Sequence, residues 1–447
     1  LLIIEPVFSL SQGHAALIGV TVVSCLLFVA FGAILEQIAR LVGGAGIVLV
    51  SAAPILAVSV VGPSYFFSGM ETGLAVVGLS AVGLFFLRTG GFSQAAATPR
   101  NAAILGLLMT LSIAARLDSV VTMALVGLLA MWRWRTKAVV ALQIGVIPTI
   151  FLAAYTAVNL ATFGTPTPVS GQAKALGDAT NLGVFAQFLA APRIFGVSSY
   201  LGLVAAPVAV AAVVIAIRRP VRGHVESAVF GAILYLGSWC TMAYFGLTSS
   251  WQLWPWYFYA IPVSLLFTLV ALVNHVARAA TVLAVLSATS VLALTSIWTV
   301  EQVASADSRS AFVSTAPEVA GMIDRLDPAD SPIAIGDRAG SIGYHLGRPV
   351  VQLEGLVDSK EYLDALENGG VGPYLNERGV RFYARVDSAD GQSASGREGA
   401  RRFTEPQQGY GPKASIYVRD DDLLLTFPLP DGTSYRVWRY RPELNSG

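Results

Sequence analysis

The sequence predicts an α-helical polytopic membrane protein that carries a small extracytoplasmic α/β domain at its C-terminus. Of the 447 residues, 54% are hydrophobic and 13% are charged, whereas soluble domains average about 25% charged residues. The charges are also unevenly placed. Residues 1–300 hold 13 Lys and Arg with 6 Asp and Glu, and residues 301–447 hold 16 and 22. We therefore predict a transmembrane domain over 1–300 and a soluble domain over 301–447.

This composition excludes several classes of protein. An ordinary cytoplasmic enzyme and a disordered chain are excluded, and no basic patch indicates nucleic-acid binding. The two cysteines, Cys25 and Cys240, lie in apolar runs and are interpreted as small buried hydrophobic residues. The chain begins at Leu1 in an apolar stretch without a charged leader. We interpret it as a chain that has lost its true N-terminus.

Ten apolar runs in the first 300 residues approach the roughly 20 residues that a membrane-spanning helix requires. They lie near residues 14–35, 41–62, 70–87, 101–115, 119–131, 138–158, 199–217, 226–246, 254–274 and 279–299. An even number of crossings places both ends of the transmembrane domain on the same side of the membrane.

The basic residues in the loops predict the orientation of these helices. The loops on one side hold ten of them: Arg40, Arg88, Arg100, Arg133, Arg135, Lys137, Arg218, Arg219, Arg222 and Arg278. The short loops on the other side hold three, namely Arg116, Lys174 and Arg193. Because cytoplasmic loops carry the excess of positive charge, we expect the C-terminal domain to lie outside the cytoplasm, at a cell inner or plasma membrane.

Two predicted helices are too short for a complete crossing. The runs over 101–115 and 119–131 have 15 and 13 residues and would span roughly 22 and 20 Å at about 1.5 Å per residue. The hydrocarbon core is about 30 Å thick. We therefore expect the turn between them, with Arg116 and Asp118, to lie within the outer half of the membrane. It should face a polar cavity, because charge buried in lipid is costly.

Two further regions complete the organisation of the chain. The segment 159–198 has no full spanning run and opens with the turn-rich sequence TFGTPTPVSG. Its apolar residues near 185–195 predict a short amphipathic helix on the membrane surface. The soluble domain alternates strands and helices, which predicts a small α/β fold with an antiparallel extension. The predicted strands are Ile333–Ile335, Pro349–Leu353, Val380–Val386 and pairs near 414–427 and 433–440, with a helix over Lys360–Leu366 and a mobile insertion over 387–412.

Four charged residues on the predicted outer face are candidates for a site. Glu71 opens the third helix, Arg116 and Asp118 flank the turn between the short helices, and Lys174 follows the TPTPVSG loop. Each has a structural alternative. Glu71 could cap its helix, Arg116 and Asp118 could form a pair within a tight turn, and Lys174 could be a solvated loop charge. We favour a shared site, because the short helices bring charge into the membrane.

Other motifs are less specific. The aromatic residues Trp251, Trp254, Trp256, Tyr257 and Tyr259 form either an interfacial belt or a platform for sugar rings, in which Trp251 and Trp254 would stack. The turn over 336–340 lacks the complete pattern of a phosphate-binding loop and is interpreted as structural. No acidic cluster forms a complete metal site. Whether a divalent cation or another cofactor is needed is therefore left open.

Four runs of the sequence resemble one family of membrane enzymes. They are SGMETGLAVVGLSAVGLFFLR, GLLMTLSIAARLDSVVTMALVGLL, NLATFGTPTPVSGQAKAL and IAIGDRAGSIGYHLGRPVVQLEGLVD. They resemble the polytopic GT-C glycosyltransferases of bacterial envelopes, and among these the actinobacterial arabinofuranosyltransferases that use decaprenyl-phosphate arabinose. The resemblance covers most of the chain and indicates the superfamily better than the sugar.

The resemblance implies transfer of a sugar, such as arabinofuranose, from a polyprenyl-phosphate donor to a cell-envelope glycan or glycolipid outside the cytoplasm. Arg116 and Lys174 would then bind the donor phosphate, and Glu71 and Asp118 would be the catalytic carboxylates of this segment. The loop residues Thr167, Pro168, Ser170, Gly171 and Gln172 would contact substrate. The main catalytic acid of the family lies in the first extracytoplasmic loop, which we expect to precede this chain.

Two other functions compete with the transferase. A transporter or flippase of lipid-linked glycans would also be polytopic, although such proteins usually show internal repeats, and none is evident. A membrane-anchored module that binds cell-wall glycan would leave the intramembrane turn at Arg116 and Asp118 unexplained. The partners expected of the transferase are the lipid-linked donor, the glycan acceptor and membrane lipid, without nucleic acid.

Overall fold

The computed structural model describes most of the chain. The described residues are 14–42, 71–176, 197–218, 223–249, 251, 255–272, 315–327, 329–336, 339–356, 358–388, 394–395, 400–406, 411–429 and 432–446. The chain forms two compact units. The first comprises 1–154, 182–246 and 253–298, and the second comprises 155–181, 247–252 and 299–447. The second unit therefore joins the C-terminal domain to the end of one long helix and the loop after it.

Before residue 300, the described part of the chain is almost entirely helical. The helices are α1 (His14–Val42), α2 (Thr72–Thr89), α3 (Pro99–Ala115), α4 (Ser119–Arg133), α5 (Ala138–Phe163), α6 (Val169–Ala175), α7 (Val197–Arg218), α8 (His224–Thr248) and α9 (Ala260–Leu272). Within the described residues, four helices are long and apolar enough to cross a membrane, over Ala15–Leu41, Thr72–Thr89, Arg135–Phe163 and His224–Thr248. The chain is thus a mostly helical membrane protein, as its composition predicts.

The described helices match eight of the ten predicted spans. The predicted helix over 279–299, residues 43–62 of the second predicted helix and the amphipathic helix near 185–195 lie outside the described residues. One boundary prediction is wrong, because α1 continues to Val42 rather than ending at residue 35. Glu36 and Arg40, one turn apart on α1, form an ion pair, and such i,i+4 pairs stabilise a helix end that hydropathy alone would stop earlier.

The two short helices are present as predicted. α3 has 17 residues and α4 has 15, or roughly 26 and 22 Å at about 1.5 Å per residue. Thr98 caps α3, since its hydroxyl accepts from the Asn101 N–H at 3.2 Å, and Pro99 occupies the first turn, where a missing N–H costs nothing. Arg116 ends α3 in an extended conformation. The turn that follows is therefore fixed by two helix ends.

Small residues let the helices of the first unit pack closely. A Cβ at Gly83 on α2 would lie 2.0 Å from the Phe267 ring of α9. The Phe267 ring in turn meets Phe230 of α8 edge-to-face at 4.9 Å. Close approach through glycine is a common way for membrane helices to gain dispersion contact. This packing holds α2, α8 and α9 together in the core of the first unit.

The C-terminal domain contains helix and strand in alternation. Helical residues 315–326 (α10) precede β1 (Ile333–Ile335), α11 (Ala339–Gly343), β2 (Val350–Gln352), α12 (Lys360–Glu367), α13 (Val371–Glu377), β3 (Phe382–Ser388), β4 (Ala394–Ser395), β5 (Arg401–Glu405), β6 (Ala414–Val418), β7 (Leu423–Pro428), β8 (Thr433–Arg439) and α14 (Pro442–Asn445). One sheet has the order β2-β1-β3-β8-β7, and a second has the order β4-β5-β6. β1 is parallel to β2 and β3, whereas β8 is antiparallel to β3 and β7.

Alternation along β1 divides the core of this domain into two layers. Ile333 and Ile335 pack in one cluster with Val319 and Ile323 of α10. Ala334 packs in the other cluster with Tyr362 of α12 and its neighbours. Because successive strand residues face opposite sides of a sheet, the short apolar strand is buried on both sides. Helices therefore cover both faces of the parallel part of the sheet.

The predicted mobile insertion over 387–412 is wrong where the structure describes it. Residues 401–405 form β5, which pairs with β6 from Arg401↔Val418 to Glu405↔Ala414. Phe403 and Glu405 of β5 are buried, while Arg402 and Thr404 are exposed. The alternation of buried and exposed residues that is typical of a strand is thus present, but it is not recognisable from hydropathy, because the region is polar in composition. Glu405 can be buried because Arg385 and Tyr383 contact its carboxylate, at 3.2 and 2.7 Å.

Candidate active site

The turn between α3 and α4 forms the centre of a charged cluster in the first unit. Arg116 Nε and Nη2 donate to the Asp118 carboxylate at 3.1 and 2.9 Å. This is the two-pronged geometry that makes arginine–carboxylate pairs strong. The side chain of Arg116 is only 7% exposed, and that of Asp118 is also buried. The ion pair that the structural alternative describes is therefore present, and both of its side chains are nearly buried.

Glu71 joins the cluster from the start of α2. Its Oε1 accepts from Arg116 Nη1 at 3.1 Å, and the hydroxyl of Thr72 accepts from the same nitrogen at 3.3 Å. Glu71 occupies the N-cap position of α2, where negative charge is favourable, but its side chain makes no capping hydrogen bond to the helix. With 35% of its side chain exposed, Glu71 is the most accessible of the three charged groups.

Two tyrosines that precede α9 complete the cluster. The Arg116 guanidinium carbon lies 5.2 Å from the ring centroids of both Tyr257 and Tyr259, within the range of a cation–π contact. The Tyr259 hydroxyl contacts Ser119 Oγ at 2.6 Å and donates to Asp118 Oδ1 at 3.3 Å. Residues from three places in the chain, 71–72, 118–119 and 257–259, therefore fix the position of the Arg116 side chain.

A short sequence pattern accompanies this network. Each of the two acids immediately precedes a helix whose first residue carries a hydroxyl group, namely Thr72 of α2 after Glu71 and Ser119 of α4 after Asp118. Both hydroxyl groups take part in the network. Thr72, Ser119 and the tyrosine contacts were not predicted from the sequence. The repeated acid–hydroxyl pair was the available signal for the first two, whereas the tyrosines are brought in by packing alone.

The geometry bears on the predicted phosphate contact of Arg116. Its Nε, Nη1 and Nη2 atoms all donate to Glu71, Thr72 or Asp118. These hydrogen bonds use four of the five N–H groups of the guanidinium, so a bound phosphate would have to share Arg116 with both carboxylates. The arrangement favours a positioning role for Arg116, in which the guanidinium holds Glu71 in place. Its phosphate-binding role stays a prediction.

Lys174 and the predicted loop residues over 167–172 belong to the second unit. Lys174 is half-buried on α6, next to Ala173, which packs in the hydrophobic core with Tyr362 and Leu363. The preceding loop is held by its own hydrogen bonds. Thr165 Oγ1 and Gln172 Nε2 donate to the Thr167 carbonyl at 2.9 and 3.3 Å, and the Gly171 N–H donates to the Pro168 carbonyl. The substrate-contact roles of these loop residues and the phosphate contact of Lys174 stay predictions.

Two other sequence motifs have no open site in the described structure. Trp251 is 6% exposed, which argues against stacking on a sugar ring, and Trp254 lies outside the described residues. At Gly336, a Cβ would lie 2.5 Å from Glu405 Oε1, so a carboxylate of the protein fills the space beside this glycine. Burial, reinforced by the charge of Glu405, raises the pKa of Tyr383 well above its ordinary value. Tyr383 is therefore a neutral donor to Glu405, consistent with a structural role.

Among the residues that the structure describes, no group of three or more His, Cys, Asp and Glu side chains could hold a metal ion. The comparisons with known proteins add no assignment. No protein-family model matches the chain, and no curated protein matches it.

Proposed function

We propose that this protein is a membrane glycosyltransferase that takes a sugar from a polyprenyl-phosphate donor. It passes the sugar, such as arabinofuranose, to a cell-envelope glycan or glycolipid outside the cytoplasm. The proposal rests on the sequence resemblance to GT-C enzymes and on the charged cluster at Glu71, Arg116 and Asp118. The observation that carries it is a partly exposed carboxylate, Glu71, held by a buried arginine.

Stability alone does not account for such a cluster. Taking an arginine and a carboxylate out of water costs several kcal/mol per ion, and replacing buried ion pairs with apolar residues is often neutral or stabilising. Ionisable residues inside membrane domains usually mark functional sites. The cluster at Arg116 therefore favours a chemical role over a purely structural one.

The chemistry of the proposed reaction fits the position of Glu71. The acceptor hydroxyl oxygen forms a bond to the anomeric carbon, and the bond from that carbon to the phosphate oxygen breaks. Polyprenyl phosphate leaves with the bonding electrons, and the hydroxyl proton passes to a general base. One oxygen of Glu71 is anchored by Arg116, and the side chain is accessible enough to meet an acceptor. We assign the base role of this segment to Glu71, and Asp118 orients Arg116.

A comparison of two carboxamide variants tests this assignment. The native full-length protein is assayed for transfer from a polyprenyl-phosphate sugar. Glu71→Gln should lower kcat about 10²- to 10⁴-fold, the usual contribution of general base catalysis. The amide oxygen can still accept from Arg116, so the fold should be retained. Glu226→Gln, in the first turn of α8, is the matched control and should keep the wild-type rate. Wild-type kcat in a folded Glu71→Gln protein would remove Glu71 from the reaction.

A further inference from the structure

In the first unit, the loop between α2 and α3 is hydrogen-bonded to the connection between α4 and α5. These loops lie at the opposite end of α4 from Asp118. Three backbone carbonyls of the loop after α2 accept side-chain hydrogen bonds from the α4–α5 connection. Arg133 Nε donates to the Phe92 carbonyl at 2.9 Å, Trp134 Nε1 to the Gly91 carbonyl at 2.8 Å, and Lys137 Nζ to the Ala97 carbonyl at 2.9 Å. Because Trp134 is completely buried, this double loop is an ordered platform.

The platform is rich in positive charge. We define the basic platform as five exposed residues, namely Arg88, Arg100, Arg133, Arg135 and Lys137. In the sequence, no acid occurs between residues 72 and 117 or between 119 and 177. Where the structure describes their hydrogen bonds, these residues donate to carbonyls or to the amide oxygen of Gln37. Two described acids lie close by, namely Glu226, whose Oε1 lies 3.8 Å from a Cβ built at Gly90, and Glu36, which precedes Gln37 and pairs with Arg40.

An exposed tryptophan borders the basic platform. Trp132 is 57% exposed, and the guanidinium carbons of Arg133 and Arg135 lie 5.9 and 5.4 Å from its ring centroid. Leu128 on α4 and Val139 and Leu142 on α5 are also strongly exposed. The exposed apolar surface of α4 and α5 is therefore bordered by the Trp132 ring, and the guanidinium groups of Arg133 and Arg135 lie beside that ring.

We propose that the basic platform and Trp132 bind the headgroup of an anionic phospholipid. The phosphate meets the cations, the indole lies at the headgroup level, and the acyl chains run along the exposed residues of α4 and α5. Tryptophan favours this level of a bilayer, and each Lys or Arg near an anionic lipid surface adds attraction. A water-soluble anion would gain nothing from the exposed apolar border, which is why the lipid is preferred. This site is separate from the cluster at Arg116 and does not depend on the proposed reaction.

Lipid titration of the purified full chain in detergent tests the proposal. Phosphatidylglycerol and phosphatidylcholine with the same acyl chains are the probes, and native mass spectrometry counts the bound lipid. We expect phosphatidylglycerol to bind at least tenfold more tightly, with a preference that weakens as salt is raised. Arg100→Gln and Arg135→Gln should each weaken its binding about fivefold. Trp132→Ala should weaken the binding of both lipids.

Three results would overturn the proposal. Equal binding of the two lipids would remove the headgroup charge from the interaction. An equal loss in Arg381→Gln, which removes an exposed charge from the C-terminal domain, would show a non-specific charge effect. Displacement of phosphatidylglycerol by glycerophosphoglycerol at equal concentration would identify a site for soluble anions. Because the variants replace exposed side chains, loss of fold should not interfere, and the melting temperature of each variant checks this.

Discussion

At the scale of single residues, Arg116 organises the charged cluster. It bridges acids that are 47 positions apart in the sequence, and its guanidinium carbon lies 5.2 Å from the centroids of two tyrosine rings. The sequence made Glu71, Arg116 and Asp118 recognisable, because charge is scarce in an apolar chain. It could not show which groups the Arg116 guanidinium binds. Those partners distinguish an arginine that binds phosphate from one that positions a carboxylate, and they include side chains from the start of α2 and from the segment before α9.

The first prediction concerns the stability of this cluster. Arg116→Ala leaves Asp118 buried without its partner and should destabilise the protein by about 3–5 kcal/mol, as is usual when one member of a buried ion pair is removed. Arg116→Lys keeps the charge but loses the two-pronged contact, so its loss should be smaller. Thermal unfolding in lipid nanodiscs measures both. In the double variant with Asp118→Ala, the loss should be less than the sum of the single losses. Additive losses would contradict the contact.

At the scale of secondary structure, apolar runs predicted the described membrane helices well. Hydropathy locates a membrane helix because a segment inside the bilayer must form all of its backbone hydrogen bonds internally, as a helix does. The runs failed at the end of α1, where a polar turn continues the helix through an i,i+4 ion pair. They also failed for β5, because this strand alternates buried and exposed positions with mostly charged and polar residues. Glu405 of that strand is stabilised by Arg385 and Tyr383 from β3, and such distant partners are not visible in a local pattern.

Helix packing gives a prediction with an internal control. A Cβ at Gly231 on α8 would lie 2.8 Å from the Ser264 carbonyl oxygen and 2.9 Å from the Thr268 nitrogen, which are both backbone atoms. Gly231→Ala should therefore separate α8 from α9 and destabilise the protein by about 1–3 kcal/mol or more. Gly145 on α5 has no atom within 4 Å of its Cβ position. Gly145→Ala should be neutral or stabilise the helix by up to about 1 kcal/mol. Equal melting temperatures for the two variants would contradict the described packing.

The short helix α6 gives a second comparison at this scale. Ala173 packs in the core of the second unit, whereas Ala175, two residues later, is exposed. Ala173→Glu would bury an unpaired charge, which is strongly unfavourable, so the α6 segment should detach from α12. We expect amide exchange in residues 360–377 to rise at least tenfold, while Ala175→Glu leaves it unchanged. Hydrogen exchange read by mass spectrometry measures this, and equal exchange in the two variants would place α6 elsewhere.

At the scale of the whole molecule, the composition predicted a membrane protein with a small sheet-containing domain, and the described structure has both. The orientation in the membrane stays a prediction. It rests on ten basic residues in one set of loops against three in the other. The participation of residues 155–181 in the second unit was not predicted, because hydropathy marks where a helix leaves the membrane but not what it packs against afterwards.

Cysteine accessibility in intact cells tests the orientation. In a protein with Cys25 and Cys240 replaced by alanine, a cysteine at the exposed residue Glu377 should react with a membrane-impermeant thiol reagent. A cysteine at the exposed residue Thr136, between α4 and α5, should react only after lysis. The reverse pattern would mean that the C-terminal domain faces the cytoplasm, against the distribution of positive charge.

The central claim is that this protein breaks the bond between the sugar and the phosphate, rather than moving a lipid-linked sugar intact. Proteoliposomes that hold the native full-length protein, a doubly labelled polyprenyl-phosphate sugar and a glycan acceptor measure this directly. We expect the sugar label to appear on the acceptor in step with the release of polyprenyl phosphate, and Glu71→Gln to slow both about 10²- to 10⁴-fold. Recovery of the donor on the opposite side of the bilayer, with sugar and lipid labels still joined, would contradict the account and identify a flippase.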